Sequence, residues 1–269
     1  MANRLSVFTK PWRTLSVPEL GALVASYGFD GVEFPLRPGY QVEPQAAEQE
    51  LPKLVSVLAA RGVAVTSVAS GLEEHIFAAC AAAGVGVIRI MADVDPAAGY
   101  RESEARWQRK LSAAAPLCER YGVKVAVQQH CGGFVSGSME LLHLLEGVDC
   151  PLIGGVWDAA HSGLAGECPE FALDILWPRL LLVNFKNAYY RRVTGPEAAA
   201  RFEPYFTTGR QGATDWARAA SVLRGRGYDG DVCMPAEYTD EAATPQYLRE
   251  DAAYLRSLLT DEGKAGKDA

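Results

Sequence analysis

The amino-acid sequence predicts an α/β protein folded as a single (β/α)8 TIM barrel, and three observations lead to that prediction. Eight strand-like apolar runs alternate with helical or helix-sized segments, as expected for a closed barrel of about 250 residues. Five of the strands begin alike, with a helix end, a glycine and a β-branched run: YGFDGVEF, RGVAVTSV, AGVGVIRI, YGVKVAVQ and RGYDGDVC. No GxGxxG motif follows the first strand and no P-loop occurs, which weakens the alternative of a doubly wound open sheet.

The elements of the first half follow from local signals. Ser16 is predicted to cap the first helix, with Pro18 in its first turn and Glu19 at the capping-box position, and Gly28 is predicted to end it. Apolar periodicity then places the remaining elements. The predicted strands are 5–9, 31–36, 63–70 and 85–91, and the later predicted helices are about 45–61, 72–83 and 101–120.

The second half continues the same alternation. The predicted strands are 123–128, 153–158, 180–185 and 231–236, and the predicted helices are 138–145, 171–175, 215–223 and about 245–259. A polar loop is predicted after the seventh strand. Residues 1–260 are thus expected to form the barrel, and the charged segment 261–269, DEGKAGKDA, is expected to be a disordered tail.

Composition limits the classes of partner. The chain of 269 residues has a formal net charge of −7 and no basic cluster, which argues against nucleic acid and anionic membrane surfaces as partners. No apolar run reaches the roughly 18 residues of a membrane span. The start MANRLSVFTK lacks a signal-peptide core, so a cytoplasmic location is expected. The six cysteines show no CxxC spacing and are expected to be reduced thiols.

The sixth strand ends in the most informative stretch of the chain, IGGVWDAAHSG at 153–163. This run has the form of a buried parallel strand that presents Asp158 and, three residues later, His161 at its carboxyl end. Barrel enzymes build their sites at that edge. The simpler interpretation is that Asp158 caps a turn and that His161 is a satisfied polar residue.

Polar side chains follow most of the other predicted strands as well. Because the carboxyl ends of the strands converge on one mouth of a barrel, we expect these residues to form a site. Each alone has a structural explanation: for example, Glu33 could pair with Arg37, and Glu237 could neutralise a nearby lysine. The residues at the strand ends are Lys10, Glu33, Asp93, Gln128, His130, Asp158, His161, Asn184, Lys186 and Glu237.

Five segments carry a resemblance to a known family: VAVQQH, GGVWDAAHSG, LVNFKNAY, GRQG at 209–212 and GYDGDVCMPAEY. Over nearly its whole length the chain resembles the sugar phosphate isomerase/epimerase family of xylose-isomerase-like TIM barrels. The resemblance implies four residues at the ends of strands five to eight (Glu, Asp, His, Glu) that hold a divalent metal, with the two glutamates moving protons. Asp158 matches the aspartate and Glu237 the last glutamate. His161 matches a substrate-contacting histidine, and Lys186 matches a lysine common after strand seven.

Two positions depart from the family pattern. Gln128 stands where the family usually has its first glutamate, and Asn184 stands where it usually has its histidine. The expected metal set is therefore Gln128, Asp158, Asn184 and Glu237. This all-oxygen set suits Mn²⁺ or Mg²⁺ better than Zn²⁺, with binding weakened or lost. No nucleotide cofactor is expected.

The departures also change the expected acid–base chemistry. Gln128 cannot move a proton, so Glu237 and His130 are the candidate catalytic pair. The expected substrate contacts are Lys10, Trp12, Glu33, His161, Lys186 and Arg210. Among them the cationic groups would bind hydroxyls or an anionic group, and Trp12, with Phe134 and Tyr189, could stack on a sugar face.

Three functions remain open at this stage. The leading one is an isomerase or epimerase that transfers protons next to the carbonyl of a small sugar or sugar derivative. The second is a lyase or dehydratase of the same superfamily, because elimination can proceed with a single base. The third is a sugar-binding barrel without catalysis. A small carbohydrate is the expected ligand, and a homodimer is one option for the oligomeric state.

Overall fold

A computed structural model of the chain describes residues 3–260, and the segment 261–269 that was predicted to be a disordered tail lies outside them. Eight parallel strands form a closed barrel in the order β1-β10-β7-β6-β5-β4-β3-β2, which confirms the predicted (β/α)8 fold. The barrel strands are β1 (Leu5–Phe8), β2 (Gly31–Pro35), β3 (Ala64–Ala69), β4 (Val87–Met91), β5 (Lys124–Gln128), β6 (Ile153–Asp158), β7 (Leu180–Asn184) and β10 (Val232–Met234). Their ends differ from the predicted ones by no more than two residues.

Helices surround the barrel and connect its strands. They are α1 (Val17–Ser26), α2 (Ala47–Ala59), α3 (Glu74–Ala83), α4 (Tyr100–Tyr121), α5 (Ser138–Glu146), α6 (Ala159–Leu164), α7 (Pro169–Leu176), α8 (Trp216–Gly225) and α9 (Thr244–Leu259). The capping box predicted for α1 is present: the Ser16 hydroxyl accepts from the Glu19 N–H, and the Glu19 carboxylate accepts from the Ser16 N–H. Within residues 3–260 no helix combines the length and the apolar composition needed to cross a bilayer.

The predicted polar loop after the seventh strand is in fact an antiparallel hairpin. It consists of β8 (Asn187–Arg192) and β9 (Phe202–Thr207), which form a two-stranded sheet apart from the barrel. Tyr189 lies opposite Tyr205 in the register, with their ring centroids 5.3 Å apart. Aromatic residues in both segments are the sequence signal for this pair of strands, since cross-strand aromatic pairs stabilise hairpins. The charged residues between them favoured the loop interpretation instead.

Alternation along β6 and β7 turns the polar residues toward the barrel axis. Trp157 and Phe185 point outward and pack edge to face, with ring centroids 5.9 Å apart, in the apolar layer between strands and helices. Because successive side chains of a strand point to opposite faces, Asp158 on one strand and Asn184 and Lys186 along the other point inward. Two glycines of β6 leave room for neighbours: a Cβ on Gly154 would lie 2.3 Å from the Arg179 carbonyl oxygen.

Candidate active site

A cavity of about 730 Å³ opens at the carboxyl ends of the barrel strands, which is a common size for a small-molecule site. Its wall is unusually rich in charged groups. The polar and aromatic side chains that line it include Lys10, Trp12, Arg13, Arg37, Arg89, Gln128, His130, Asn184, Lys186, Glu237 and Glu241. Most of the residues that the sequence analysis placed at strand ends therefore line this one cavity. Asp158 and His161 are fully buried just behind its lining.

Asp158 is the centre of a buried polar cluster. The register of β6 and β7 places it beside Asn184. Its Oδ2 accepts a hydrogen bond of 2.6 Å from the Gln128 side-chain amide and a long one of 3.5 Å from that of Asn184. Its Oδ1 accepts from the His161 backbone N–H at 3.2 Å, so Asp158 also caps α6. The cap agrees with the simpler interpretation of Asp158, and a role of its carboxylate in binding or catalysis stays a prediction.

Lys186 lies between the two carboxylates of the site. Its Nζ donates to Glu237 Oε2 at 2.6 Å and lies 3.8 Å from Asp158 Oδ2. The side chain is only 5% exposed. Burial disfavours its charge, but the neighbouring Asp158 and Glu237 outweigh burial and raise the pKa of Lys186 above its ordinary value. Lys186 is therefore a fixed ammonium ion at neutral pH.

Glu237 follows the last barrel strand and is held by the same ion pair. Burial raises the pKa of its carboxyl, but the Lys186 ammonium outweighs that effect and brings the pKa below the ordinary value. The preceding residue, Ala236, has a φ of +52°. The next residue, Tyr238, donates its hydroxyl to Asp251 Oδ2 at 2.9 Å. Glu237 is thus an ionised, half-buried carboxylate on a segment fixed from both sides.

His130 is the neutral base of the site. Its Nδ1 lies 2.8 Å from the Cys131 carbonyl oxygen, and since that oxygen can only accept, Nδ1 carries the proton. Nε2 is then left with its lone pair. Burial lowers the pKa of His130, so the ring is neutral near pH 7. Because His130 lines the cavity, it can take a proton from a bound molecule.

His161 has the opposite tautomer. Its Nδ1 accepts from the Cys131 backbone N–H at 3.2 Å, so Nε2 carries the proton. That N–H is buried and has no acceptor among the described residues. Burial, and next the Lys186 charge, hold the pKa of His161 well below its ordinary value. The two imidazole rings lie 4.0 Å apart by their centroids.

The strand-end residues do not fit the divalent metal that the resemblance implies. A metal ion needs lone pairs directed at one point, whereas here N–H groups of Gln128, Asn184 and Lys186 point at the oxygens of Asp158 and Glu237. Gln128 and Asn184 converge on Asp158, and Asp158 and Glu237 converge on Lys186, so these groups already bind one another.

A second group of metal-ligating atoms lies nearby. One ligand atom each of His130, Cys131 and His161 falls within 4.8 Å of the others. Burial raises the pKa of the Cys131 thiol above its ordinary value. Since the thiolate is the form that binds metal, this shift weakens the group as a zinc site.

Two expected substrate contacts are corrected by the structure. Glu33 is fully buried inside the barrel and does not line the cavity; it accepts from Arg89 Nε at 2.8 Å and from the Ser67 hydroxyl at 3.2 Å. Its partner is not Arg37. Arg210 is exposed outside the cavity, with its guanidinium 3.6 Å from the centre of the Tyr254 ring on α9.

The GRQG segment is a packing motif rather than a ligand loop. A Cβ on Gly212 would lie 2.0 Å from Asn187 Oδ1, and a Cβ on Gly209 would lie 2.5 Å from the Trp216 ring. Asn187 donates to the carbonyl oxygens of Gly209 and Thr214 and so ties the segment to β8. The close approach of backbone to side chain explains why glycine stands at both positions.

The remaining expected residues are placed as follows. Lys10 and Trp12 line the cavity, and the Trp12 ring stacks on Tyr27 with centroids 6.0 Å apart. Phe134 packs edge-on against His130, with centroids 4.8 Å apart. Tyr189 lies on the hairpin, and Asp93 is exposed in an ion pair of 2.7 Å with Arg106.

Sequence reasoning missed the arginines of the cavity wall. Arg89 stands in the middle of the apolar run VIRIM, at a position that alternation directs inward. An arginine in such a run is the signal that could have identified it. Arg37 follows β2 and lines the cavity with Arg13. Neither Arg13 nor Arg37 has a carboxylate partner within residues 3–260, in contrast to Arg89.

Comparison with known proteins adds to this geometry. A family model described as a xylose isomerase-like TIM barrel matches residues 22–258. Inosose dehydratase of Bacillus licheniformis is 26% identical over 152 residues, which are 53% of this chain and 51% of that protein. The chain spans about half the length of the curated relatives it matches.

Two solved structures show the same fold at low sequence identity. D-psicose 3-epimerase of Clostridium cellulolyticum, solved with D-tagatose, has a TM-score of 0.73 at 14% identity and covers 95% of this chain and 99% of its own. The IOLI protein, solved with a bound zinc atom, has a TM-score of 0.73 at 16% identity and covers 96% and 99%. At these identities the likeness concerns the fold alone.

Proposed function

Because this chain belongs to the family of xylose isomerase-like TIM barrels, we propose that it is an enzyme that transfers a proton at the carbon next to the carbonyl of a small sugar or sugar derivative. The observation that carries the proposal is the neutral His130, whose unprotonated Nε2 belongs to a residue of the cavity wall. A base of this kind is matched to proton abstraction at neutral pH. The psicose epimerase and inosose dehydratase relatives support a sugar-like substrate.

The two candidate acid–base groups follow different barrel strands. His130 follows β5 and Glu237 follows β10, and both line the same cavity. A proton taken by one group can be returned by the same group or by the other, which gives isomerisation or epimerisation. His161 lies behind this wall, where its buried Nε2–H has no acceptor among the described residues. We therefore place isomerase or epimerase activity first.

Elimination is the second candidate, and one observation favours it. The Glu237 carboxylate is ionised and held by Lys186, so it is a poor proton donor. A site with one free base, His130, can remove the α-proton and then return that proton to the β-hydroxyl, which leaves as water while the C–H electron pair forms the carbon–carbon double bond. The inosose dehydratase relatives agree with this reaction class.

Exchange with heavy water separates these reactions. We would incubate the protein with a panel of ketoses, keto-sugars and inososes in D₂O and follow carbon-bound deuterium and product mass. Deuterium uptake with a rearranged, otherwise unchanged product supports isomerisation or epimerisation. Loss of one water supports the dehydratase. Binding of a sugar without exchange at any carbon would contradict both and leave a non-catalytic barrel.

A further inference from the structure

The side of the cavity formed by the segments after β1 and β2 carries three cationic side chains. Lys10 and Arg13 follow β1, and Arg37 follows β2. Within residues 3–260 none of the three forms an ion pair, in contrast to Arg89 and Lys186 of the same cavity. We propose that the substrate supplies the counter-ion, as a carboxylate at the end of the sugar away from the reacting carbon. This inference names the substrate class, and it rests on the proposed function in taking the ligand to be a small sugar derivative.

Arg37 is the least exposed of the three cations. It is half-buried, and its guanidinium carbon lies 5.8 Å from the centre of the Phe8 ring. Burial, and next the charge of Arg89, lower the pKa of Arg37, although an arginine stays protonated at neutral pH. The carboxylate that partly offsets these effects is Glu33, which already pairs with Arg89. Because a half-buried charge without its own counter-ion is costly, this position favours a bound anion.

Hydrogen bonds join the two segments that carry the cations. The Gln41 side-chain amide donates to the carbonyl oxygens of Trp12 and Leu15, at 2.8 and 2.9 Å. The Tyr40 hydroxyl donates to the Lys10 carbonyl oxygen at 3.4 Å. The backbone of this side of the cavity is therefore fixed before a ligand binds, which lowers the entropic cost of binding.

The distribution of charge around the cavity favours a carboxylate over a phosphate group. TIM barrels frequently bind phosphate at the segments after the seventh and eighth strands, with the help of a helix N-terminus. In this chain the segment after the eighth barrel strand, β10, carries the acidic residues Glu237, Asp240 and Glu241, which would repel a phosphate dianion. The half-buried cation is instead a single guanidinium, Arg37, whose planar fork matches the two oxygens of one carboxylate.

The positions of Arg37 and His130 indicate where the carboxylate lies on the substrate. The strands that precede them, β2 and β5, are separated in the barrel by β3 and β4. Both side chains line the same cavity of about 730 Å³. A carboxylate bound to Arg37 therefore belongs to the other end of the molecule from the carbon that His130 deprotonates. A keto-hexuronate, with its ketone near one end and its carboxylate at the other, has this arrangement.

Binding of matched sugars tests the inference without turnover. We would titrate the purified full-length protein with D-fructuronate, D-fructose and D-fructose 6-phosphate, and with the corresponding D-tagatose series, by isothermal titration calorimetry. The wild type is expected to bind an acid about 10- to 100-fold more tightly than its neutral sugar, the usual gain from hydrogen bonds to a charged group. Equal affinities, tighter binding of the 6-phosphates, or failure of both acids to bind would overturn the inference.

Variants identify the group that binds the carboxylate. Arg37→Gln is expected to abolish the preference for the acid and to keep the affinity for the neutral sugar, whereas Arg37→Lys should retain part of the preference. The control is Arg109→Gln on α4, an exposed arginine outside the cavity, which should keep the wild-type preference. A preference that survives in Arg37→Gln, or that is lost equally in Arg109→Gln, would overturn the inference. The comparison of ligands on the wild type can overturn it even if Arg37→Gln fails to fold.

The isotope experiment separates this inference from the proposed function. Acids that bind through Arg37 without carbon-bound deuterium uptake would count against the proposed function alone. Deuterium uptake into neutral ketoses, with no preference for the acids in binding, would count against the carboxylate alone. The two failures are therefore distinguishable.

Discussion

The rings of His130 and His161 are neighbours, but the proton is on Nδ1 in His130 and on Nε2 in His161. His130 donates from Nδ1 to a carbonyl oxygen, and His161 accepts at Nδ1 from an N–H, and both partners are the backbone groups of Cys131. The backbone of this one residue thereby leaves a basic Nε2 on one ring and a donor Nε2–H on the other. Burial keeps both rings neutral by lowering their pKa values. Of the two, only His130 lines the cavity, so proton abstraction is proposed for His130 and not for the fully buried His161.

Substitution of His130 tests that assignment. We expect His130→Asn to lower the rate of α-proton exchange by about 10²- to 10⁴-fold, the usual contribution of a positioned base. Because the pKa of His130 is lowered, the wild-type rate should persist on acidification and fall only below the ordinary histidine pKa of about 6.5. The measurement is the pH dependence of deuterium uptake.

A second histidine gives the matched control. His143 on α5 is exposed and pairs with Glu104 at 2.8 Å, away from the cavity. His143→Asn should leave the exchange rate and its pH profile unchanged. Equal losses in both variants, or an unchanged rate in His130→Asn, would exclude His130 as the base.

At the scale of elements, the β8–β9 hairpin and the segment after it make contacts around the site that their polar sequence does not predict. The hairpin covers Lys186, and the GRQG turn accepts a hydrogen bond from Asn187 at the start of β8. Asn187 is buried, and its side chain makes hydrogen bonds to Gly209, Thr214 and Ala188. Glycine at 212 is what allows the backbone of the turn to approach the Asn187 side chain so closely.

Replacement of Gly212 should therefore destabilise the fold. A Cβ there would clash with Asn187, and we expect Gly212→Ala to lower the free energy of unfolding by about 1–3 kcal/mol, as overpacking does. Urea unfolding is the measurement. Gly195→Ala, where a Cβ would meet nothing within 4 Å, is the control and should change stability by less than about 0.5 kcal/mol. Equal stability of the two variants would refute the packing argument.

Asp251 on α9 links the same turn to the Glu237 segment. Its carboxylate accepts from the Gly209 N–H and from the Tyr238 hydroxyl, both at 2.9 Å. Burial is the largest influence on this group and raises the pKa of Asp251 to about 6. The folded protein therefore binds this proton more tightly than the unfolded chain, whose aspartate pKa is about 3.9.

The sign of the resulting pH dependence follows from linkage. The stability due to this group is fully present below pH 4 and is lost as the pH rises through about 6. In Asp251→Asn this dependence should be absent, so the stability difference between wild type and variant should change by about 3 kcal/mol at most across that window. Urea unfolding at several pH values measures it. Asp240 is exposed, and the control variant Asp240→Asn should keep the wild-type dependence of the unfolding free energy on pH. The same wild-type dependence in Asp251→Asn would contradict the assignment to Asp251.

At the scale of the whole molecule, the barrel interior is polar just below the site. The buried Glu33 and Arg89 reach across from β2 to β4, and Ser67 of β3 joins them. The Arg89 guanidinium also lies 4.7 Å from the centre of the Phe8 ring of β1. Four neighbouring strands are thus connected inside the barrel through one ion pair, of which Arg89 lines the cavity.

Breaking that pair should affect global stability. We expect Arg89→Met to lower the free energy of unfolding by about 3–5 kcal/mol, because it leaves the Glu33 carboxylate buried without a counter-ion. The double variant E33L/R89M removes both charges and should recover much of that loss. Urea unfolding of the wild type and both variants measures the difference. A double variant less stable than Arg89→Met would contradict the argument that the unpaired Glu33 carboxylate causes the loss of stability.

The sequence predicted the architecture well because its signals are local or periodic. Apolar runs preceded by glycine mark the strands, Ser16 and Glu19 mark a helix start, and the rule that strand ends converge on one mouth brought Lys10, His130, Lys186 and Glu237 to one cavity. These inferences require only the alternation of side chains and the direction of the strands. The hairpin was missed because its own charged residues resemble those of a loop.

What a side chain touches was decided by the tertiary structure alone. The sequence analysis placed both Glu33 and Asp158 at strand ends, but Glu33 lies in the middle of β2 and faces an arginine two strands away, whereas Asp158 ends β6 and faces amides and an ammonium. The partner depends on the register and curvature of the closed barrel, which link residues distant in the chain. By itself the sequence determined the barrel, its mouth and the absence of the family's metal ligands at 128 and 184. Only the folded barrel placed Lys186 between two carboxylates, because electrostatic interactions act through space rather than along the chain.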